Sequence, residues 1–130
     1  CGGAVHGGAV YIADAVPGGH AIKKFDLATG AFRYQSPTMA GFTIQNSPMV
    51  GPDGTVYLNR VQNNAAVDFF YAFEDTGSAL VERWRVESRW TTGSEFAATQ
   101  DGVYVPFRDN SIRLLRAQDG VQIASTGVLA

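Results

Sequence analysis

Short apolar runs separated by turn residues follow one another along the whole chain. The runs are four to seven residues long, are rich in Val, Ile, Tyr and Phe, and are bounded by Gly, Asp, Asn and Pro. Runs of this length and composition are typical of β-strands. No stretch has the apolar spacing of a convincing amphipathic helix. The pattern therefore predicts an all-β fold.

The strand pattern repeats three times. The apolar triplets 10–12, 56–58 and 103–105, each with Tyr at its centre, recur 46 and then 47 residues apart. Each triplet follows a turn that ends in Gly, and a second apolar run and a second turn come after it. A period near 45 residues built only of short strands is typical of β-propeller blades.

We expect a single repeat domain over 1–130 with three four-stranded antiparallel blades, at about 1–36, 46–87 and 94–126. Between the second and third strands, the first two blades are predicted to have long loops, 14–20 and 61–68. In the third blade, Asp109 and Asn110 predict a short hairpin turn at that place.

Three blades are too few for a closed ring, because propellers usually close with about four to eight blades. An open arc would expose two hydrophobic blade faces to water, which favours aggregation. The sequence therefore predicts one of two arrangements. Either two copies associate into a dimer in which each copy is half of an oligomeric ring, or the chain is a partial ring whose missing blades belong to a longer chain.

Charge and cysteine content narrow the choice of partners. The net charge is −2, so no overall positive field would draw the chain to nucleic acid or to an anionic membrane, and no nucleic-acid partner is expected. Cys1 is the only cysteine, so no disulfide can form within the chain. Because mature bacterial lipoproteins begin with a lipidated Cys, Cys1 is a candidate lipidation site. Membrane association is expected only in that case.

The turns after the third strands carry a motif that resembles a known repeat. Residues 25–30 read Phe-Asp-Leu-Ala-Thr-Gly, and Tyr34 follows four residues after the Gly. This resembles the repeat of PQQ-like (quinoprotein dehydrogenase-type) β-propellers, roughly Ala-x-Asp-x-x-Thr-Gly-x-x-x-Trp. In the second blade Trp84 is displaced by three additional residues, and in the third Ala124 stands where the Trp would be. Residues 47–57 resemble the first two strands of the same unit, and the resemblance covers nearly the whole chain.

The resemblance implies a structural role for the motif residues. Asp accepts hydrogen bonds from backbone N–H groups of the turn, and Gly takes the positive φ that the turn needs. The aromatic residue packs between neighbouring blades, where a buried ring contributes roughly 3 kcal/mol. With Ala124 in place of the ring, the third blade is expected to be the loosest or to meet a different neighbour. The blade-motif residues are Asp26, Gly30, Tyr34, Gly77, Trp84 and Gly120.

The family includes enzymes and binding proteins. Its dehydrogenases bind PQQ and calcium and use a vicinal disulfide, an acidic cluster and a catalytic Asp, whereas this chain has one cysteine and no acidic cluster. The resemblance therefore favours a non-enzymatic module that binds a protein or a small ligand, or acts as a scaffold, with no cofactor, metal site or catalytic residue. Its expected location is the periplasm, the outer membrane as a lipoprotein, or the exterior. The alternative is a fragment of a PQQ-dependent dehydrogenase or related propeller enzyme whose active site lies outside this segment.

The candidate ligand-binding residues lie at strand ends and in a long connection. Polar residues that differ between equivalent strand ends are typical of a small-molecule or peptide site, and equally of solvated loop ends. Four of them follow or end a second strand and would project toward the same end of the channel; the other two lie between the second and third blades. The set is Asp14, Asn59, Arg60, Arg108, Arg89 and Trp90.

Overall fold

Twelve strands form three four-stranded sheets in the computed structural model, which describes residues 2–41, 47–60, 68–88 and 96–128, with Arg60 described by its backbone alone. The first sheet contains β1 (Gly3–His6), β2 (Ala9–Val16), β3 (Gly19–Asp26) and β4 (Phe32–Gln35). The second contains β5 (Met49–Val50), β6 (Val56–Arg60), β7 (Asp68–Asp75) and β8 (Leu80–Ser88). The third contains β9 (Ala97–Ala98), β10 (Gly102–Pro106), β11 (Ile112–Arg116) and β12 (Gln122–Ser125).

Each sheet is an antiparallel meander in which the strands pair in chain order. The all-β prediction and the three four-stranded antiparallel blades are confirmed. Within the described residues, no helix is both long enough and apolar enough to cross a membrane.

The predicted loop at 14–20 is wrong. Strands β2 and β3 stay paired as far as Val16 and Gly19, and only Pro17 and Gly18 form the turn between them, with Gly18 at φ 86°. The Pro-Gly-Gly cluster indicated a loop, but it makes a tight turn because Gly adopts positive φ without strain. In the second sheet β7 already begins at Asp68, and the rest of the other predicted loop, 61–67, lies outside the described residues.

One β-bulge recurs at the same place in all three sheets. The register between the third and fourth strands shifts after Lys24, after Ala72 and after Leu114. Immediately before the bulge these residues pair with Tyr34, Trp84 and Ala124. The three positions at which the repeat motif has its aromatic are therefore structurally equivalent, although Trp84 follows its turn Gly at a different distance.

The same ladders align further positions of the three sheets. Tyr11, Tyr57 and Tyr104 are equivalent, because each lies opposite the residue that precedes the bulge. Counting forward from the bulge, Leu27, Asp75 and Ala117 occupy one equivalent position next to the turn. These equivalences allow the contacts between successive sheets to be compared position by position.

The core is divided between two seams, a seam being the contact of one sheet with the next. In the first seam Tyr11 and Ile22 of the first sheet pack against Leu58 and Phe73 of the second. In the second seam the members are Tyr57, Phe70, Ala72 and Trp84 against Phe96, Val103, Val105, Leu115 and Ala117. Alternation along each strand explains the division, because successive side chains of the second sheet point to opposite neighbours.

The segment after β4 also closes the first seam. Met39 exchanges backbone hydrogen bonds with His20, and its side chain is buried in the first-seam core. A Cβ at Gly19, which has φ 155°, would lie 2.0 Å from the Met39 carbonyl oxygen. Gly19 therefore permits a close approach of two backbones that no larger residue could allow.

Candidate functional site

A polar network joins the first two sheets at the end of the first seam where the turns between the third and fourth strands lie. The Asp75 carboxylate accepts hydrogen bonds from the hydroxyls of Tyr11 and Tyr34, each at 2.5 Å, and from the Gly77 backbone N–H at 2.9 Å. Lys24 Nζ lies 2.6 Å from Asp75 Oδ2 and donates to the Tyr34 hydroxyl at 2.9 Å. Three side chains of the first sheet thus converge on one carboxylate of the second.

The network shifts the proton affinities of its members. Burial by itself raises the pKa of Asp75, but the hydrogen bonds from Lys24, Tyr11 and Tyr34 outweigh it and hold that pKa well below its usual range. Burial lowers the pKa of Lys24, yet its bonds to Asp75 and Tyr34 raise it above the usual value. Burial and the bond to Asp75 raise the pKa of Tyr11 to about 12. At neutral pH the network is an ion pair held by two neutral phenols.

A cleft of about 370 Å³ opens over this network on the turn side of the first seam. Its wall includes the Lys24–Asp75 pair, and Arg83 lies 3.9 Å from Glu74 nearby. Asp53, also in the wall, accepts from the backbone N–H and the hydroxyl of Thr55. The charges of this cleft are therefore largely satisfied by one another, an arrangement that stabilises the seam more than it prepares a reactive group.

The second seam uses an indole where the first uses a phenol. Trp84 Nε1 donates to the Ala117 carbonyl oxygen at 2.8 Å, and Arg83 Nη1 donates to the same oxygen at 3.3 Å. Gly120, at φ 72°, lies against the ring, and a Cβ there would come within 2.8 Å of Trp84 Cδ2. Trp84 is buried between the two sheets. The two seams thus share one contact. The residue at the aromatic position of one sheet, Tyr34 or Trp84, donates a hydrogen bond to the residue of the next sheet that is equivalent to Leu27, which is Asp75 or Ala117.

The motif Asp and Gly close the turn of the first sheet. Asp26 Oδ1 accepts from the backbone N–H groups of Ala28 and Thr29 and from the Thr29 hydroxyl, and Gly30 takes φ 72°. The backbone bonds and the Thr29 hydroxyl lower the pKa of Asp26. In the other sheets Gly77 and Gly120 take φ 90° and 72° at the corresponding turns.

The candidate ligand residues have different surroundings. Asp14 is exposed and pairs with Lys23 on the neighbouring strand at 2.6 Å. Asn59 is only 1% exposed, so its side chain belongs to the interior. Arg108 reaches from the third sheet to the second, where its guanidinium lies 3.0 Å from the buried Asp68 carboxylate and donates to the Ser88 carbonyl oxygen. Asp14 and Arg108 therefore act in ion pairs within the fold.

Some predicted positions lie outside the described part of the structure. These are Arg89, Trp90 and Cys1, together with the side chain of Arg60, whose backbone ends β6. Among the residues described, no group of three or more His, Cys, Asp or Glu side chains comes together that could hold a metal ion.

Asp75, Lys24 and Asp68 form ion pairs between sheets, and the sequence interpretation did not identify them. Asp75 forms hydrogen bonds with residues 41 and 64 positions away in the chain. A signal was present for Asp75 and Lys24, since at their positions the other sheets have uncharged residues. Asp68 carried no such signal, because its partner comes from a turn 40 residues away.

Two sheet faces remain without a neighbouring sheet. On the first sheet the paired residues Val5, Val10, Phe25 and Phe32 form a continuous apolar row across all four strands, which we call the first open face. Phe32 is 54% exposed there. On the third sheet the row without a neighbouring sheet, the third open face, consists of Ala97, Tyr104, Leu114 and Ala124, of which Leu114 is buried.

Comparison with known proteins shows the fold and nothing finer. No protein-family model matches the chain, and neither does any curated protein. The crystal structure of BamB from Moraxella catarrhalis, a β-propeller, matches 95% of this chain with a TM-score of 0.66 at 16% sequence identity. The chain spans 35% of the length of that BamB chain. The three sheets are therefore blade-like units of a propeller fold.

Proposed function

We propose that this chain is a β-propeller module that binds or scaffolds other proteins and has no catalytic role of its own. The observation that carries the proposal is the contrast between its polar and apolar surfaces. The strongest polar contacts, around Asp75 and between Arg108 and Asp68, hold successive sheets together. The first and third open faces have no neighbouring sheet, and Val5, Phe32 and Tyr104 are 63%, 54% and 42% exposed there.

Uncovered apolar faces support an interaction role because soluble proteins rarely expose contiguous apolar surface without a partner. Edge-free closure of a propeller needs about four to eight blades, and the structure has three blade-like sheets. The module therefore completes its ring with further blades, supplied by self-association or by a longer chain. A protein partner at the channel mouth, near Asp14 and the strand-end residues, is part of the same proposal.

A location outside the cytoplasm accompanies this proposal, in the periplasm, at the outer membrane as a lipoprotein, or secreted. It is supported by the PQQ-like repeat resemblance and by the likeness in fold to BamB. Cell fractionation of the native host would test it, and recovery of the protein in the cytoplasmic fraction would contradict it.

The alternative function is a fragment of a PQQ-dependent dehydrogenase or a related propeller enzyme whose active site lies outside this segment. Calorimetric titration of the full-length protein, purified from its native host, with PQQ and Ca²⁺ separates the two. The binding module is expected to give no saturable heat beyond that of dilution. Stoichiometric binding of the quinone would overturn the proposal and favour the enzyme.

A further inference from the structure

The two open faces are the unlike halves of one repeated contact. In each seam a row containing the equivalent Tyr, Tyr11 or Tyr57, faces the opposite row of the next sheet, which contains Val56 or Val103. The third open face contains Tyr104 and is therefore a row of the first kind. The first open face contains Val10 and is a row of the second kind. No second row of either kind is left over in the three sheets.

In each internal seam one pair of residues forms a hydrogen bond between the sheets, and on the open faces both positions of this pair hold apolar side chains. In the first seam Tyr34 bonds to the side chain of Asp75, and in the second Trp84 bonds to the carbonyl of Ala117. The equivalent residues on the open faces are Ala124 on the third sheet and Leu27 on the first. Ala124 has no side-chain donor and Leu27 has no carboxylate, so a seam between them would leave neither a donor nor a carboxylate unsatisfied there.

The side chains of the two open faces also differ in size in a complementary way. Ala124 is far smaller than Tyr34 or Trp84, and it leaves space beside the third open face. The position opposite the bulge holds Glu82 in the second sheet and Gln122 in the third, but Phe32 in the first. Phe32 packs edge-on against Phe25, with 5.8 Å between ring centroids, and Leu27 of the same sheet is 51% exposed. The first open face thus carries additional apolar volume where the third has lost it.

We propose that the first open face receives the third open face of a second copy of this chain, in the geometry of the internal seams. This inference rests on the proposed function, which requires additional blades, and specifies which surfaces meet. Two copies of three blades close a ring of six, and the two-fold symmetry makes the two closing seams identical. Alanine and leucine at the closing seam replace the polar contact that each internal seam has.

Charge substitutions at the two halves of the closing seam test this pairing. Leu27→Glu and Ala124→Lys place opposite charges at positions that are in direct contact in both internal seams, and both positions are exposed in the single chain. Val81→Glu is the matched control, because Val81 is 47% exposed on the outer strand of the second sheet. Circular dichroism checks that each variant is folded, and native mass spectrometry with sedimentation measures the dimer.

We expect the unsubstituted chain and Val81→Glu to dimerise equally. Each seam variant alone should weaken the dimer at least about tenfold, because every closing seam then contains one unpaired charge. An equimolar mixture of Leu27→Glu and Ala124→Lys should restore the dimer, since a mixed ring contains one unsubstituted seam and one seam with paired charges.

Three results would overturn the pairing: a monomer at all concentrations, a dimer that neither variant weakens, and variants that weaken it but are not rescued by mixing. A dimer insensitive to both variants would leave association through another surface, so the proposed binding module would stand without this pairing. The quinone titration decides the proposed function independently of all three.

Discussion

The indole N–H of Trp84 donates to the carbonyl oxygen of Ala117 across the second seam, at 2.8 Å, while Gly120 lies against the face of the same ring. One side chain thus connects the outer strand of the second sheet to the turn of the third. The first seam makes the equivalent connection from Tyr34 to Asp75. The motif aromatic therefore contributes a directed hydrogen bond to the seam as well as apolar area.

Two substitutions of Trp84 separate the ring from its hydrogen bond. Trp84→Phe keeps most of the apolar packing but removes the donor to Ala117, and should lower the free energy of unfolding by about 1–2 kcal/mol. Trp84→Ala also leaves a cavity and should cost about 3–5 kcal/mol. Urea unfolding measures both. A loss for Trp84→Ala under about 1 kcal/mol would contradict burial of the ring between the sheets.

Gly120→Ala and Gly30→Ala form a matched pair, because both glycines have φ 72° and occupy the same turn position. Each should lose about 1 kcal/mol through the left-handed backbone conformation. Gly120→Ala should lose about 1–2 kcal/mol more, since its Cβ would overlap the Trp84 ring, whereas a Cβ at Gly30 meets nothing. Equal unfolding midpoints at unchanged m-value would argue against the ring contact.

Asp75→Asn should lower the free energy of unfolding by about 2 kcal/mol at neutral pH, because Lys24 and two phenols lose their charged acceptor. The folded-state pKa of Asp75 lies below its ordinary value of 3.8. The contribution of Asp75 to the free energy of unfolding is therefore present above pH 3.8 and is lost as the pH falls from 3.8 toward the folded-state pKa. The difference between the unsubstituted chain and the variant should therefore shrink in acid. Denaturant titrations at about pH 7 and pH 3 measure it, and a constant difference would contradict the assignment.

Arg108→Ala should destabilise the fold by about 2–3 kcal/mol, because it leaves the Asp68 carboxylate, 3% exposed, without its cation. If Arg108 were instead a solvated arginine at the channel mouth, Arg108→Ala would leave the free energy of unfolding nearly unchanged. A double-mutant cycle with Asp68→Asn isolates the coupling between the two side chains. Asp14→Asn is the control, since it breaks an exposed pair and should leave the unfolding free energy almost unchanged.

The blade architecture was accessible from sequence because it rests on local signals: the recurring Tyr triplets and the turn glycines such as Gly30. The tight turn at Pro17 and Gly18 was missed because a Pro-Gly-Gly cluster is compatible with both a loop and a two-residue hairpin. The seam contacts of Asp75 and Asp68 join residues 40 or more positions apart. Such pairs depend on how the sheets stack, which no local pattern encodes.

The bulge common to the three sheets has a consequence for how this protein can change. Because the register shift sits inside each hairpin, the outer strand meets the seam in the same way in hairpins of different length. The second sheet already has two more ladder pairs beyond the bulge, Glu74 with Val81 and Asp75 with Leu80, and Trp84 still occupies the aromatic position. The length of a hairpin tip can therefore change without moving the aromatic residue out of the joint between blades, provided that the position shared by Leu27, Asp75 and Ala117 keeps its contact there.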